Sequence, residues 1–381
     1  MEYFCTRKIP VRKLLMDTYR PLIGTPVGNL DTPLFVVDMD SLEHNFRVVA
    51  EAYKNSSCKM REHAKNIKTP FLARMQIKAG GTVGGVCCAK VSEAEAMFIG
   101  GITDILIPNQ IVSEDKIIRL CGLARQGDIK VCVDNSKNVR DISDISVREG
   151  VIIGVLIEIN TGMNRAGIRT IEEGVELARL ISELPGIEFR GVMSHQHLNG
   201  FPTKDERYLE GGKMVQICLD VKKAIEDEGI LVEIVSSGET WSYDLARDIG
   251  GVTEVEGGTY ALMGTSARHM SMFRYAGKVL ASVISTPRPG VAIGDVGTRG
   301  LAVVGGLIPD VDGLSGVAVD DVTPEHIILK SEGEMPLEIG DKFMLTPGYQ
   351  DGLVNQWDRF IGIRNGVVEG VWDIPGRGCF H

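Results

Sequence analysis

The chain has 381 residues, of which 44% are hydrophobic and 24% are charged, and its formal net charge is −10 at pH 7. These values are typical of a globular protein with one large domain and a smaller partner domain. The acidic balance argues against a nucleic-acid partner, and no apolar run reaches the ~20 residues of a membrane helix. Residues 1–21 lack the apolar core of a signal peptide. We therefore expect a cytoplasmic protein with no membrane partner.

The eight cysteines are scattered without metal-ligand spacing. In a chain without an export signal, we expect them to be reduced thiols. Cys87 and Cys88 are adjacent, but they stand where a predicted strand leads into a predicted helix. This position favours core packing over redox chemistry.

Residues 59 to about 265 alternate short apolar segments with amphipathic ones. Strands are predicted over 59–64, 85–89, 104–109, 130–134, 154–160, 189–195, 233–238 and 254–262. Helices are predicted over 90–101, 113–126, 170–184 and 205–229. The number of repeats and their length favour an α/β fold with a (β/α)₈ TIM-like barrel. The alternative is a doubly wound sheet, which is disfavoured because the glycine cluster at 80–85 precedes a strand instead of following one.

The pattern outside this region predicts a second, β-rich domain. After about residue 275 the apolar period changes to two, with strands predicted over 278–286, 301–306, 316–321, 326–330 and 341–345. The early strand "LFVVD" at 34–38 is extra to the barrel, and we expect it to join this domain. The predicted organisation is residues 1–40 as an N-terminal segment giving a strand to the β domain, 41–272 as the barrel and 273–381 as the C-terminal β domain.

Functional side chains of such barrels lie at the carboxyl ends of the strands. Several predicted strands carry polar residues or glycines there. They are His63 and Lys65 after the first strand, Asn160 and Arg165 after the fifth, His195 after the sixth, Ser236, Ser237 and Gly238 after the seventh, and Glu256, Gly257 and Gly258 at the eighth.

This set of residues suits an anionic aromatic cofactor that carries an aldehyde. Small residues let backbone N–H groups close on a phosphate. A desolvated lysine loses its proton easily and forms an imine, while a carboxylate holds a ring nitrogen protonated. Each residue also has an ordinary interpretation, since glycine pairs usually form turns and His195 could be a structural histidine. The functional interpretation rests on their shared position at the strand ends.

Several stretches resemble the fold-type III pyridoxal-phosphate enzymes, and within them the group of D-threonine aldolase, D-serine dehydratase and 3-hydroxy-D-aspartate aldolase. "DTPLFVVDMDSLEHN" is similar to that group's opening, and "REHAKNIKT" resembles its Arg-Pro-His-x-Lys-x-His-Lys signature. "GVCCAKVSEAEAM" resembles its second strand and helix, and "EINTGMNRAGI" its fifth strand. "SSGET" and "EGGTYALMG" resemble its two phosphate-contacting strand ends. The resemblance runs from about residue 30 to the C-terminus and implies an alanine racemase-like fold.

By this resemblance, Lys65 forms the imine with pyridoxal 5'-phosphate, and Lys68 is its neighbour. His63 would lie at the cofactor and His195 would stack on its ring. Glu256 resembles the glutamate in the Glu-Pro-Gly of fold-type III decarboxylases, which implies that it pairs with the ring nitrogen. Arg165 would neighbour the phenolic oxygen or a substrate carboxylate. The residues implied for the phosphate are Ser236, Ser237, Gly238, Thr240, Gly257, Gly258, Thr259 and Tyr260.

The chain also departs from the group's pattern. The proline of the signature is Glu62 here, and its second histidine is Ile67. The group holds a divalent metal with a His-x-Cys or His-x-Asp pair, where this chain has Tyr349 and Asp351. Because a neutral phenol is a poor metal ligand, a divalent metal is doubtful, with Asp351 as its one weak candidate ligand.

The predicted reaction is retro-aldol cleavage of a β-hydroxy-D-amino acid. Tyr349 or His197 would take the hydroxyl proton, and Tyr349 would need nearby cations to lower its pKa from about 10. One alternative is a racemase with Lys65 and Tyr349 as opposed bases, because "GYQDG" resembles the Gly-Tyr-x-Asp-Gly of alanine racemases. The other alternative is a D-serine dehydratase-like ammonia-lyase. A non-catalytic cofactor carrier is disfavoured by the extra β domain. By resemblance we expect a head-to-tail homodimer that acts on a small amino acid.

Overall fold

The computed structural model describes residues 19–381. After β1 (Leu34–Asp38), parallel strands form a closed barrel in chain order. The barrel strands are β2 (Lys59–His63), β3 (Thr82–Cys87), β4 (Asp104–Ile107), β5 (Asp128–Val133), β6 (Ile153–Glu158), β7 (Ile187–Ser194), β8 (Ile234–Ser237) and β9 (Glu254–Gly257). The predicted (β/α)₈ barrel is therefore confirmed.

Helices surround the barrel and bury one face each. They are α1 (Met39–Tyr53), α2 (Pro70–Ala79), α3 (Val91–Ile99), α4 (Glu114–Ala124), α5 (Ser136–Glu149), α6 (Ile171–Glu183) and α7 (Lys204–Asp227), followed by the short α8 (Tyr243–Ala246) and α9 (Thr259–Leu262). Their starts follow from local sequence. Thr170 and Thr203 accept from the backbone N–H of a glutamate three residues later, whose side chain bonds back to the threonine N–H. Within residues 19–381, no helix has the length and apolar character needed to cross a bilayer.

The second sheet follows the barrel. Its strands are β10 (Gly277–Arg288), β11 (Val291–Gly294), β12 (Asp310–Val311), β13 (Val317–Val322), β14 (Ile327–Ser331), β15 (Lys342–Thr346), β16 (Arg359–Arg364) and β17 (Val367–Asp373), with short helices α10 (Thr298–Leu301) and α11 (Gln350–Val354). The main order is β13-β14-β11-β10-β1-β16-β17. β1 pairs antiparallel with β10 and parallel with β16. The predicted mostly-strand C-terminal region is confirmed.

Two predicted strands differ from the observed elements. The strand predicted over 254–262 ends at Gly257, and 259–262 is helical, because the chain turns out of the barrel at Gly258. The strand predicted over 301–306 is absent. Ala302, Gly305 and Gly306 all have positive φ angles there, which an extended strand does not allow.

The barrel interior has two layers below its mouth. An apolar cluster of Cys87, Leu106, Cys132, Leu156, Met193 and Ile234 fills the middle. Cys87 and Cys88 are buried free thiols, as the core-packing interpretation predicted. Below this cluster, Arg61 donates to both carboxylate oxygens of Glu254 at 2.9 Å each and to Asp104 Oδ1 at 2.9 Å.

This charged layer is stable because each of its cations is paired with a carboxylate. Lys130 Nζ also donates to Asp104 Oδ1 at 2.9 Å, so the carboxylate lies between two cations. The neighbouring cations lower the pKa of Asp104 although burial opposes this shift. Such a cluster favours one arrangement of the barrel floor, since removing a single member leaves an unpaired buried charge.

We expect Arg61→Ala to lower the free energy of unfolding by about 3–5 kcal/mol, because Glu254 would remain buried without its partner. Arg61→Met combined with Glu254→Leu should lose much less, since both charges are removed together. Urea unfolding followed by circular dichroism measures both changes. Arg299→Ala is the matched control, because Arg299 pairs with Glu325 at the surface. An Arg61→Ala variant as stable as this control would contradict the role of the layer.

Candidate active site

Two adjoining cavities open at the carboxyl ends of the barrel strands. Their volumes are about 150 Å³ and about 240 Å³, and we call them the first and second cavity. His63, Lys65, His195 and Glu256 line both of them. These four residues, all predicted from the sequence, therefore surround a single point at the barrel mouth.

The segment after β2 places Lys65 at this point. A 3₁₀ turn over Ala64–Asn66 follows the strand, and His63 Nδ1 accepts from the backbone N–H of Lys65 at 3.5 Å. Lys68 is held elsewhere, since its Nζ donates to the buried Glu93 Oε1 at 2.8 Å. Of the two lysines in this segment, only Lys65 lines the cavities.

Burial keeps both imidazoles neutral. It lowers the pKa of His63 well below its usual value, and nearby Lys65 adds to the effect. Burial and then Lys65 lower the pKa of His195 to about 3. Neutral rings beside the lysine can pack against an aromatic cofactor without adding positive charge over it.

The carboxyl group of Glu256 lines both cavities. Burial and the neighbouring Glu254 raise its pKa to about 7. Ser236 Oγ donates to Glu256 Oε1 at 2.9 Å, which orients the carboxyl group. A carboxyl with a pKa near neutrality is suited to sharing a proton with a ring nitrogen.

One wall of the first cavity offers hydrogen-bond donors. Thr240, Trp241, Gly258 and Thr259 line it. Trp241 Nε1 is buried and, within residues 19–381, has no hydrogen-bond partner. A Cβ atom at Gly258 would lie 2.0 Å from Asn66 Oδ1, so only glycine fits at this wall. The unpaired N–H of Trp241 and the nearby glycine backbone at Gly258 together suit an anion such as a phosphate.

Other residues predicted at the phosphate lie off both cavities. This set is Ser236, Ser237, Gly238, Gly257 and Tyr260. Ser237 Oγ is 2.8 Å from Ser194 Oγ, and the Tyr260 hydroxyl donates to the buried Glu62. Gly238 has a φ of +128°, and its site between Val255 and Ala246 leaves little room for a Cβ atom. Through these contacts, the five residues pack and hold the strand ends that carry the cavity wall.

Tyr349, Asp351 and His197 line the first cavity toward solvent. Asp351 Oδ1 accepts from Asn66 Nδ2 and, at 2.7 Å, from Gln350 Nε2. The Tyr349 hydroxyl donates to Asp351 Oδ2 at 3.3 Å. Burial and Asp351 raise the pKa of Tyr349 to about 12, which is the opposite of the shift that a phenolate base requires.

Asp351 also fits a metal poorly. Its neighbour Tyr349 offers a neutral phenol, which is a poor ligand for a divalent cation. Within residues 19–381, no group of three or more His, Cys, Asp or Glu side chains is placed to hold a metal ion. Burial raises the pKa of Asp351, and Lys65 opposes that shift.

The second cavity has a cationic wall. Arg165 and Lys90 line it, together with Asn109. Arg165 Nη2 is 3.7 Å from Glu158 Oε1, and the Arg165 side chain is half exposed. Asn160, predicted with Arg165, hydrogen-bonds the Asn164 side chain and lines neither cavity.

The sequence analysis missed several residues of the site. They are Asn66, Asn199, Glu239 and Trp241 in the first cavity, and Lys90 and Asn109 in the second. Lys90 and Asn109 directly follow the β3 and β4 segments, so the strand-end rule applied to every strand would have found them. Glu239 accepts from the backbone N–H of Leu198 at 2.7 Å, a long-range contact that no local pattern indicates.

The residues present fit pyridoxal phosphate. Lys65 supplies an amine, Glu256 a partner for the ring nitrogen, His195 a neutral flat surface and Trp241 a free donor at the anion wall. The cationic second cavity fits the phenolic oxygen or a carboxylate.

Comparison with known proteins identifies the family of this chain. Residues 37–265 match the family described as "Alanine racemase, N-terminal domain", and residues 276–363 match "Putative serine dehydratase domain". The chain is 33% identical to a 3-hydroxy-D-aspartate aldolase from Paracoccus denitrificans (strain Pd 1222), over 94% of this chain and 95% of the relative. It is 32% identical to a D-threonine aldolase from Arthrobacter sp., over 93% of this chain and 95% of the relative.

The fold agrees as well. The crystal structure of D-threonine aldolase from Filomicrobium marinum superimposes with a TM-score of 0.91 at 32% identity, covering 95% of this chain and 100% of that one. The resemblance that the motifs indicated is thereby confirmed along nearly the whole chain. The chain belongs to the fold-type III pyridoxal-phosphate lyases, in the group that contains the 3-hydroxy-D-aspartate and D-threonine aldolases.

Proposed function

We propose that this protein binds pyridoxal phosphate at Lys65 and cleaves a β-hydroxy-D-amino acid to glycine and an aldehyde. The observation that carries the proposal is the position of Lys65, which lies with Glu256 and His195 where the two cavities meet. The anion wall and the cationic wall lie on opposite sides of this point, as a cofactor with a phosphate and a phenolate requires. The similarity to aldolases over nearly the whole chain supports the same reaction.

When bound, pyridoxal phosphate supplies an aldehyde that condenses with an amine and a ring that withdraws the electron pair left at the substrate α-carbon. Glu256 would hold a proton at the ring nitrogen, with Ser236 fixing the carboxyl group. Lys65 would carry a proton on Nζ and return it to the α-carbon. His195 stays neutral and therefore does not compete for that proton.

The reaction breaks the Cα–Cβ bond while the β-hydroxyl group loses its proton and becomes a carbonyl group. We propose that Tyr349 relays this proton. Its oxygen would accept the hydroxyl proton as its own proton passes to Asp351 Oδ2, 3.3 Å away. A relay requires no free phenolate, which matches a Tyr349 pKa of about 12. His197, on the solvent side of the same cavity, is the alternative acceptor.

We propose that this step runs without a divalent metal, because within residues 19–381 no cluster of ligands is placed to hold one, and the neighbour of Asp351 is the phenol of Tyr349, a poor metal ligand. Racemisation is the second candidate, since Lys65 and Tyr349 line the same cavity and could act as opposed bases. Product analysis separates the candidates: glycine and an aldehyde for the aldolase, a keto acid and ammonia for the dehydratase, and the L-enantiomer for the racemase.

We also propose a cytoplasmic homodimer. Val304, Leu307 and Ile308 are partly exposed apolar residues, and Leu307 contacts Gly348, next to Tyr349 at the cavity entrance. A second subunit covering this segment would also enclose the site. Light scattering that gives a monomer with full activity would contradict this assembly.

Lys65→Ala should abolish the near-visible absorbance of the bound cofactor and the cleavage of D-threonine, because the amine that joins the aldehyde is lost. Absorbance with and without borohydride measures the first effect, and glycine formation measures the second. Lys68→Ala is the matched control, since its ammonium group pairs with Glu93 and lines neither cavity. Loss of colour in Lys68→Ala but not in Lys65→Ala would show that Lys68 binds the cofactor.

Tyr349→Phe should reduce kcat by about 10²–10⁴-fold, because the proton relay is removed, and leave cofactor absorbance unchanged. Steady-state assays with and without EDTA measure turnover, and we expect EDTA to have no effect. Tyr208→Phe, a change on α7, is the control. Unchanged turnover in Tyr349→Phe would exclude the relay, and inhibition by EDTA would exclude the metal-free step.

Glu256→Gln should alter the pH dependence of apoprotein stability. With a pKa of about 7 in the fold, Glu256 keeps a proton that the unfolded chain, with a pKa of about 4.3, has lost. The wild type therefore loses stability relative to the variant as pH rises from about 4 to about 7, by about 4 kcal/mol in total, and no more above about pH 8. Thermal unfolding of both apoproteins measures this difference, with the exposed Glu332→Gln as control. Parallel curves for wild type and Glu256→Gln would contradict the shift.

A further inference from the structure

The two cavities differ in the charge of the side chains that line them. Besides the shared Lys65, the second cavity is lined by Lys90 and Arg165. The first cavity is lined by Asp351 and by Glu239, whose pKa burial raises to about 7, and within residues 19–381 Lys65 is the only lysine or arginine on it. A charged ligand at Lys65 therefore meets cations on one side and carboxyl groups on the other.

Local contacts fix this difference. Asn109 Nδ2 donates to the backbone carbonyl of Ala89 at 2.9 Å, which ties the loop after β4 to the residue before Lys90. On the opposite side, Asp351 accepts three hydrogen bonds. This bonding pattern is that of an ionised carboxylate, which has only acceptor groups.

We propose that this separation of charge orients the substrate and selects its side chain. The α-carboxylate would face Lys90 and Arg165 in the second cavity. The β-hydroxyl group and side chain would face Tyr349 and Asp351 in the first. Lys90 thereby becomes a substrate-binding residue, and the preferred substrate has an uncharged side chain.

This inference rests on the proposed function and makes it narrower. A second carboxylate, as in 3-hydroxyaspartate, would lie near Asp351, and of residues 19–381 only Lys65 offers it a lysine or arginine partner in that cavity. Like charges facing each other in a binding site weaken binding. An uncharged side chain of similar size avoids this repulsion. The site thus favours threonine-like substrates over hydroxyaspartate.

The direct test compares D-asparagine and D-aspartate, which have nearly the same shape and differ by one charge. Neither has a β-hydroxyl group, so neither undergoes retro-aldol cleavage. Calorimetric titration of the pyridoxal-phosphate-loaded protein should give a Kd about 100-fold higher for D-aspartate. Asp351→Asn should reduce that ratio. Equal or tighter binding of D-aspartate by the wild type would overturn the proposal.

The orientation is tested at Lys90. Lys90→Met should raise the Kd of both ligands about fivefold, as expected for one partly exposed ion pair, and Lys90→Arg should restore it. Lys330→Met, a change in β14, is the control for loss of a surface charge. An unchanged Kd in Lys90→Met would exclude Lys90 as a substrate-binding residue.

Product analysis separates failure of the inference from failure of the proposed function. Cleavage of 3-hydroxy-D-aspartate faster than D-threonine would overturn the inference and leave the aldolase function in place. Absence of cleavage with any β-hydroxy-D-amino acid would overturn the function. In that case the ratio of the two Kd values still decides whether the pocket selects against a second carboxylate.

Discussion

The hydrogen bond from Asn66 to Asp351 joins the two parts of this protein at the point where the chemistry is proposed. Asn66 directly follows Lys65 in the barrel, whereas Asp351 belongs to α11, which follows β15 of the second sheet. The same carboxylate holds Tyr349. One acceptor therefore sets the distance between the proposed amine and the proposed proton relay. The barrel alone would contain the lysine without the group that faces it.

Depth in the barrel controls which groups carry charge. At the floor, Arg61 donates to both carboxylate oxygens of Glu254, so the two side chains form a buried ion pair. At the mouth, above the apolar cluster, His63 and His195 are neutral and the pKa of Glu256 is about 7, because burial acts on them without an opposite charge of equal strength. The site at the mouth is neutral and can share protons because these three residues lack ionic partners within residues 19–381, whereas the residues of the floor have them.

The sequence predicted the barrel well, because parallel strands buried on both faces are continuous apolar runs that alternate with amphipathic helices. Choosing Lys65 over Lys68 depended on the family motif, and the ion pair of Lys68 with Glu93 agrees with that choice. The raised pKa of Tyr349 was not predictable, since it depends on burial by distant segments and on the position of Asp351. Lys90 directly follows a predicted strand, so the strand-end rule applies to it as well.

The pairing of β1 has a consequence for how the chain folds. Leu34 lies opposite Leu280, and Val36 lies opposite Ile361, so the first described strand has both of its neighbours in the last third of the chain. During synthesis, this apolar strand stays uncovered until the whole barrel has left the ribosome, because β10 and β16, which pair with it, follow the barrel. Contacts of such long sequence separation form late and slowly, and the uncovered strand is a site for association between nascent chains. Efficient folding of this protein therefore depends on keeping its start protected until its end arrives.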